Sequence, residues 1–455
     1  MLSMSRIINF EEVSVKPWFS LLATIMNKVL EYADPYNAVR RHVIREGNIL
    51  IIGDKRVEVN GGLHVVGFGK ASKRMLEAVL SELGDLVVGG VVITPDMEGR
   101  LGPVELLKGN HPIPGNDTLK SSRKLLEYLT SKISSNDVLI VLISGGGSAL
   151  FEIPEEGVEL KDIESITKEL MKRGANIVEL NTVRKRLSKV KGGKLLRYIK
   201  AQHTISLIIS DVVGDKLEFI ASGPTAPDSS TWIEAYRILV KYGLWDELEP
   251  RIKSIFEKGL KGEITDTLKK DDPIFSKVLN FVVLNNKMVL ENIASDLREW
   301  GYKTLILTPF LEGEAKEVAK VLAAVAKSIR LLSQPVRPPA AIIAGGETVV
   351  TVKGSGVGGR NQELCLSFAI AIAGEKGISA ACMGTDGIDG ISPAAGALVD
   401  WETVSEAIQH GLDPVKSLKN NDSFTFFNKL RKTLVTGYTG TNVNDIFISL
   451  IDAYK

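Results

Sequence analysis

Cysteine is nearly absent from this chain: among 455 residues only Cys365 and Cys382 are cysteine. Two cysteines cannot build a disulfide framework or a cysteine zinc site, and their scarcity predicts a reducing compartment. An excess of charge of one sign is missing as well, with 56 basic residues against 55 acidic ones. A nucleic-acid binder usually carries a basic excess, so the balance speaks against that class. No stretch approaches the ~18 consecutive apolar residues of a membrane-spanning helix. The opening segment Met1 to Val13 has no apolar run ending in small residues, which predicts no secretory signal. A soluble, cytoplasmic protein without membrane or nucleic-acid partners is therefore expected.

Several catalytic signatures are missing too. The phosphate motif G-x-x-x-x-G-K-[ST] does not occur, so a nucleotide would not be held by an ordinary P-loop. The five histidines (His42, His64, His111, His203, His410) are scattered, and without H-E-x-x-H a zinc hydrolase is not supported. Gly146-Gly147-Ser148-Ala149 is followed by Leu150, not glycine, which removes the serine-hydrolase elbow. His111, before Pro112 in GNHPIPGND, reads as a turn residue.

What the chain does have is a repeated alternation of short apolar runs and helix-like segments. The runs are Leu63–Val66, Val87–Ile93, Val138–Ile143, Ile205–Ile209, Phe281–Leu284, Lys303–Leu307, Ala340–Ile343 and Ile378–Met383. They are continuously apolar, as strands buried on both faces are. Helical patterns over 72–83, 121–131, 160–173, 286–300, 312–332 and 363–373 lie between them. The alternation predicts an α/β fold with mostly parallel sheets, whose ligands sit beyond the carboxyl ends of the strands. A helical, charged stretch over 231–272 bridges the halves or covers one. The proline-rich Ser333–Pro339 is either a linker or a loop, so a domain boundary falls within 230–290 or near 335.

Glycine is the one enriched residue: 42 of 455, above the roughly 7% of ordinary chains. Many of these glycines follow the apolar runs. The clusters are Gly67-Phe-Gly69-Lys70, Ser144-Gly-Gly-Gly-Ser148, Gly345-Gly346-Glu347-Thr348, Gly354-Ser-Gly-Val-Gly-Gly359-Arg360-Asn361 and Gly384-Thr-Asp386-Gly-Ile-Asp389-Gly390. Each alone reads equally well as a tight turn. Five at strand ends, beside acidic and basic residues, predict a site that handles phosphate through backbone N–H groups. Lys70 could place a point charge on a moving phosphoryl group, and Arg360 could grip carboxylate or phosphate oxygens. Asp211 and Asp215 in SDVVGD could orient a hydroxyl or help hold Mg²⁺, and Asp386, Asp389 and Glu347 are further Mg²⁺ candidates; turn formation is the competing reading for all five. GSGVGG (354–359), after the strand-like TVVTVK, also fits a dinucleotide loop, though the acidic residue expected about 20 positions on is missing.

In this order the clusters resemble the glycerate 2-kinase family whose members carry a MOFRL-type C-terminal domain. The matching segments are VGFGKAS (66–72), GNHPIP (109–114), SGGGSAL (144–150), ELNTVRKRLSKVKGGKL (179–195), SDVVGD (210–215) and ASGPTAPD (221–228). They continue with GGETVVTVKGSGVGGRNQE (345–363), GTDGIDG (384–390) and TGYTGTNVND (436–445). Two positions depart from the family pattern, Tyr438 in place of proline and Gly115 in place of an acidic residue. The resemblance implies a larger Rossmann-like α/β/α N-terminal domain, set at 1–285, and a smaller α/β MOFRL-type domain, set at 286–455, with the active site in the cleft between. It implies transfer of the ATP γ-phosphoryl group to the C2 hydroxyl of D-glycerate with Mg²⁺ or another divalent cation. Lys70, Asp211 and Arg360 would be catalytic. Gly69, Ser144, Gly145, Gly146, Gly147, Ser148, Asn181, Arg184, Gly345, Gly346, Glu347, Asn361 and Asp386 would bind substrate or nucleotide, and Asp211 and Asp386 would face the metal. An NAD(P)-dependent hydroxypyruvate reductase is the alternative, and a non-catalytic sugar-acid or nucleotide sensor a third reading. A homodimer is compatible with all of these.

Overall fold

A computed structural model describes residues 5–452 of the chain, which fall into two compact units. The first is Pro35–Val283; the second joins the described residues up to Asp34 to those from Leu284 onward.

The first unit opens with a three-stranded antiparallel sheet of β1 (Val43–Glu46), β2 (Ile49–Ile52) and β3 (Lys55–Glu58). Its main sheet holds β4 (Leu63–Phe68), β5 (Val87–Thr94), β6 (Gly99–Leu101), β7 (Val104–Lys108), β8 (Val138–Ile143), β9 (His203–Ile209) and β10 (Val278–Leu284). The spatial order is β10-β9-β8-β4-β5-β7-β6. From β9 through β7 every pairing is parallel. β4 and β8 are buried at every residue, which is why they read as unbroken apolar runs. Val66, Phe68, Val91, Ile93, Leu139 and Val141 point to one face, where Leu125 and Leu129 of the helix Asn116–Lys132 join them. The helix Ser72–Leu83 runs against β4, β5 and β8 and buries Met75, Leu76 and Val79. Successive strands are added outward from β4 in one direction (β5, β7) and then from β4 in the other (β8, β9). The reversal makes a topological switch point between β4 and β8, the place where parallel sheets open a crevice for ligands.

The stretch 231–272 belongs to the first unit. Its helices Trp232–Lys241 and Pro250–Leu260 bury Trp232, Leu239, Ile252 and Phe256 against Ile163, Leu170 and Val183, a small second core inside the first unit.

The second unit has a six-stranded sheet, β11 (Lys303–Leu311), β12 (Ala340–Gly346), β13 (Ile378–Gly384), β14 (Gly396–Asp400), β15 (Thr433–Leu434) and β16 (Asp445–Ile451), in the order β11-β12-β16-β13-β14-β15. The expectation of mostly parallel sheets fails here: only β11–β12 is parallel, and the remaining four pairings are antiparallel. The cause is β16, which enters the middle of the sheet from the chain's end and pairs antiparallel on both sides. Helices Ala315–Leu332 and Arg360–Ala371 cover one face. Ser333–Pro339 is a loop from the first of these helices into β12, not a domain linker.

The start of the chain departs from the division at 285. The helix Pro17–Tyr32 packs along β13 and buries Phe19, Leu22, Met26 and Val29. Lys16 anchors it, paired with Asp400, Glu402 and Glu406. An amphipathic stripe records that a helix is buried, not which sheet buries it. No helix among the described residues is long and apolar enough to cross a membrane.

Candidate active site

The switch point brings the first two glycine clusters side by side. β4 and β8 are in register to their last residues, Phe68 opposite Ile143, so their loops leave the sheet together. Lys70 N donates to Gly145 O at 2.9 Å, and Ala71 N to Ser144 Oγ at 3.0 Å. Gly69 and Gly146 have φ of 132° and 79°, in the region that disfavours side chains. A Cβ on Gly146 would lie 3.3 Å from the Lys70 side chain and 3.0 Å from Nε2 of His111. A Cβ on Gly145 would meet Oδ2 of Asp211 at 2.3 Å. Asp211 follows β9, the parallel neighbour of β8, which carries it to the same edge. Lys70, Gly69, Ser144, Gly145, Gly146 and Asp211 are thus gathered as the sequence suggested. His111, read as a turn residue, joins them.

Two buried networks fix the back of this loop. Ser222 donates to Asn181 Oδ1 at 2.9 Å, so the 2.9 Å contact between Ser148 and Ser222 has Ser148 as donor. Ser222 and its neighbour Ala221 hold φ of 62° and 49°, a strained pair at the site. Lys191 donates to the carbonyls of Ser148 and Phe151 and pairs with Glu152 at 2.9 Å, all inside the core. Asn181 and Arg184 are carried by the helix Ile177–Arg186, whose start is fixed by a capping box between Asn176 and Glu179. That helix is tied to the ASGPTAPD loop by Asp228, which holds both Lys185 and Arg186 at 2.9 Å. Despite burial, the two cations keep the Asp228 carboxyl well below the usual carboxylate range. Gly147 and Ser148 begin the short turn of helix after the loop.

The second unit presents a different kind of cluster. Arg360 starts the helix Arg360–Ala371, and its guanidinium grips Asp445 through Nε at 2.6 Å and Nη2 at 3.1 Å, and Glu347 at 2.8 Å. Asp389 accepts the N–H groups of Asn361 and Gln362, capping that helix. Burial, with Asp445 adding to it, pushes the Asp389 carboxyl up to about 7, so it keeps part of its proton near neutrality. Asp386 accepts from Ile388 N in a local turn.

Several glycines of this unit are fixed by packing. Gly345 and Gly346 lie within β12, where a Cβ would strike Asn286 at 2.0 Å and the backbone of Leu311 at 2.3 Å. TVVTVK forms no strand, only a single bridge from Val349 to Glu314. The N–H groups of Gly354, Ser355, Gly356 and Val357 are taken by Asn420, Asn421 and Asp422. GSGVGG is therefore a packing loop laid over residues 420–423, and the dinucleotide reading loses the feature that suggested it.

His111, Ser222, Lys191 and Asp445 were not singled out by the sequence. All four lie inside the matched segments, which was the available signal.

Residues 21–257 match the family model described as a domain of unknown function (DUF4147), and residues 340–445 match the MOFRL family. The chain is 40% identical over 433 residues to glycerate 2-kinase of Pyrococcus horikoshii, spanning 95% of this chain and 97% of that one. D-glycerate 2-kinase of Thermotoga maritima is 42% identical over 389 residues, 85% of this chain and 90% of the relative. The crystal structure of glycerate kinase from Thermotoga maritima has a TM-score of 0.84 at 39% identity, covering 96% of this chain and all (100%) of that one. The chain belongs to the glycerate 2-kinase family.

Proposed function

We propose that this protein transfers the γ-phosphoryl group of ATP to the C2 hydroxyl of D-glycerate, giving 2-phosphoglycerate and ADP. The observation that carries the reading is the switch-point loop pair: a lysine, a glycine turn and a carboxylate converge at the carboxyl edge of a parallel sheet. Positioning and charge neutralisation are what phosphoryl transfer asks of a protein. The C2 oxygen attacks the γ-phosphorus, the bond to the β,γ-bridging oxygen breaks, and ADP leaves. Asp211 orients the hydroxyl and takes its proton. Lys70 and the N–H groups of Gly145 and Gly146 face the phosphoryl oxygens, stabilising charge as it develops. From the second unit, Arg360, Asn361 and Asp386 are assigned to ATP.

The reaction calls for a divalent cation beside the ATP phosphates. Kinase Mg²⁺ is taken by one or two carboxylates together with phosphate oxygens; Asp211 on the first unit and Asp386 on the second each offer such a carboxylate. When bound it would draw charge from the β- and γ-phosphates. The three-acid group among the described residues, Asp400, Glu402 and Glu406, does not suit it, because Lys16 and Lys432 already occupy it. A reducing cytoplasm suits the two cysteines, both buried thiols.

Arg184 is assigned to the glycerate carboxylate. It is half-buried, its Nε has no hydrogen-bond partner, and burial disfavours its charge with only Glu152 opposing. A cation so placed calls for an anion. Its position three residues after Asn181 puts both on one helix face. Arg184→Ala is expected to raise KM for D-glycerate about 10- to 100-fold, with KM for ATP little changed. An unchanged glycerate KM, measured under saturating ATP, would remove Arg184 from this role.

A further inference from the structure

His111 has no task in the reaction described above, yet it stands at its centre. The loop that carries it is built to hold it there. Asn110 N donates to Thr118 Oγ1 at 2.8 Å, Thr118 N returns a bond to Asn110 Oδ1 at 3.2 Å, and Thr118 Oγ1 also reaches Ala149 O at 3.1 Å. These bonds tie the His111 loop to the turn that follows Ser144–Ser148. The Cδ2–Nε2 edge of the ring faces Gly146, at 2.9 and 3.0 Å from the point a Cβ would occupy there. The same point is 3.3 Å from the Lys70 side chain. Neither ring nitrogen meets a protein hydrogen-bond partner among the described residues.

We propose that His111 is a further substrate-contacting residue, its Nε2–H donating a hydrogen bond to an oxygen of the transferring phosphoryl group. The inference rests on the kinase reading given above. The charge of the moving phosphoryl group spreads over its three equatorial oxygens, so a third donor beside Lys70 and the glycine N–H groups has an oxygen to meet. A neutral donor suits the place. Burial of the ring edge, reinforced by the charge of Lys70, pushes the imidazole down to about 4. It therefore stays uncharged at neutral pH and does not repel the lysine it accompanies. An uncharged imidazole still has one N–H to give.

The role is tested by variants and by protection. His111→Ala is expected to lower kcat by about 100- to 1,000-fold, with KM for D-glycerate within about threefold of wild type. His111→Gln, which keeps an N–H donor, should recover about tenfold or more of that loss. Near-wild-type kcat in the alanine variant overturns the proposal. So does a glutamine variant as slow as alanine, because that would assign the ring to accepting a proton. If neither variant folds, the wild-type enzyme answers. Carbethoxylation of His111 by diethyl pyrocarbonate should be blocked by the β,γ-imido analogue of ATP with Mg²⁺, and undiminished modification overturns the contact. Wild-type enzyme that phosphorylates D-glycerate while His111→Ala is unaffected sinks this inference alone. Wild-type enzyme that does not phosphorylate it sinks the kinase reading instead.

Discussion

A Lys70→Ala variant is expected to lose about three orders of magnitude in kcat while unfolding at the wild-type temperature. The separation follows from how the residue is held. Its backbone N–H, not its side chain, makes the bond to Gly145 O that links the two loops. Its ammonium group takes part in no ion pair among the described residues, and its stem lies along Gly146 without entering the core. Truncation therefore removes a charge and little packing. Lys70→Arg keeps the charge but spreads it over a longer planar fork that cannot place it at the same point, and only partial activity should return. Paired thermal melts and initial rates check the prediction. Normal turnover in the alanine variant would remove Lys70 from the chemistry, and a large fall in melting temperature would make it a structural residue.

Arg360→Ala should behave differently, losing activity and stability together. The guanidinium is held by two bonds from Asp445 and one from Glu347, and Asp445 is buried. Burial raises the Asp445 carboxyl above its ordinary value, and Arg360 is the main influence working against that rise. Asp389, itself crowded by Asp445, lies close by. Without the arginine, buried acids face one another with no cation between them. The loss should be about 3 kcal/mol, read by denaturant unfolding, alongside a fall in kcat of at least about 100-fold. A variant that loses turnover at full stability would mean that the carboxylates are solvated and that Arg360 is not their counter-charge. Arg360→Lys cannot reproduce the bidentate grip and should restore stability only in part.

Continuous apolar runs such as Val138–Ile143 are both strand and signal, because a parallel strand buried on both faces leaves no polar position to disguise it. The helix Ser72–Leu83 was legible from its stripe alone. The antiparallel insertion of β16 was not, since strand direction depends on where a chain returns, and no local pattern carries that. The membership of the helix Pro17–Tyr32 in the second unit is hidden for the same reason.

Glycines of similar spacing have different physical causes. Gly146 is glycine because of its backbone angle, beside a lysine and a histidine; Gly356 is glycine because Asp422 lies against it. Composition does not distinguish these causes. Pairing partners are equally invisible: nothing around Arg360 in the sequence announces Asp445, eighty-five residues away. A histidine before proline suits a turn, and only the fold sets His111 beside Lys70.

The most direct test is to incubate the full-length protein with D-glycerate, ATP and Mg²⁺ and identify the product by phosphorus NMR. Phosphate on C2, in a product that enolase consumes without a mutase, is the predicted result. Phosphate on C3, or no phosphorylation together with nicotinamide-dependent turnover of hydroxypyruvate, would contradict it.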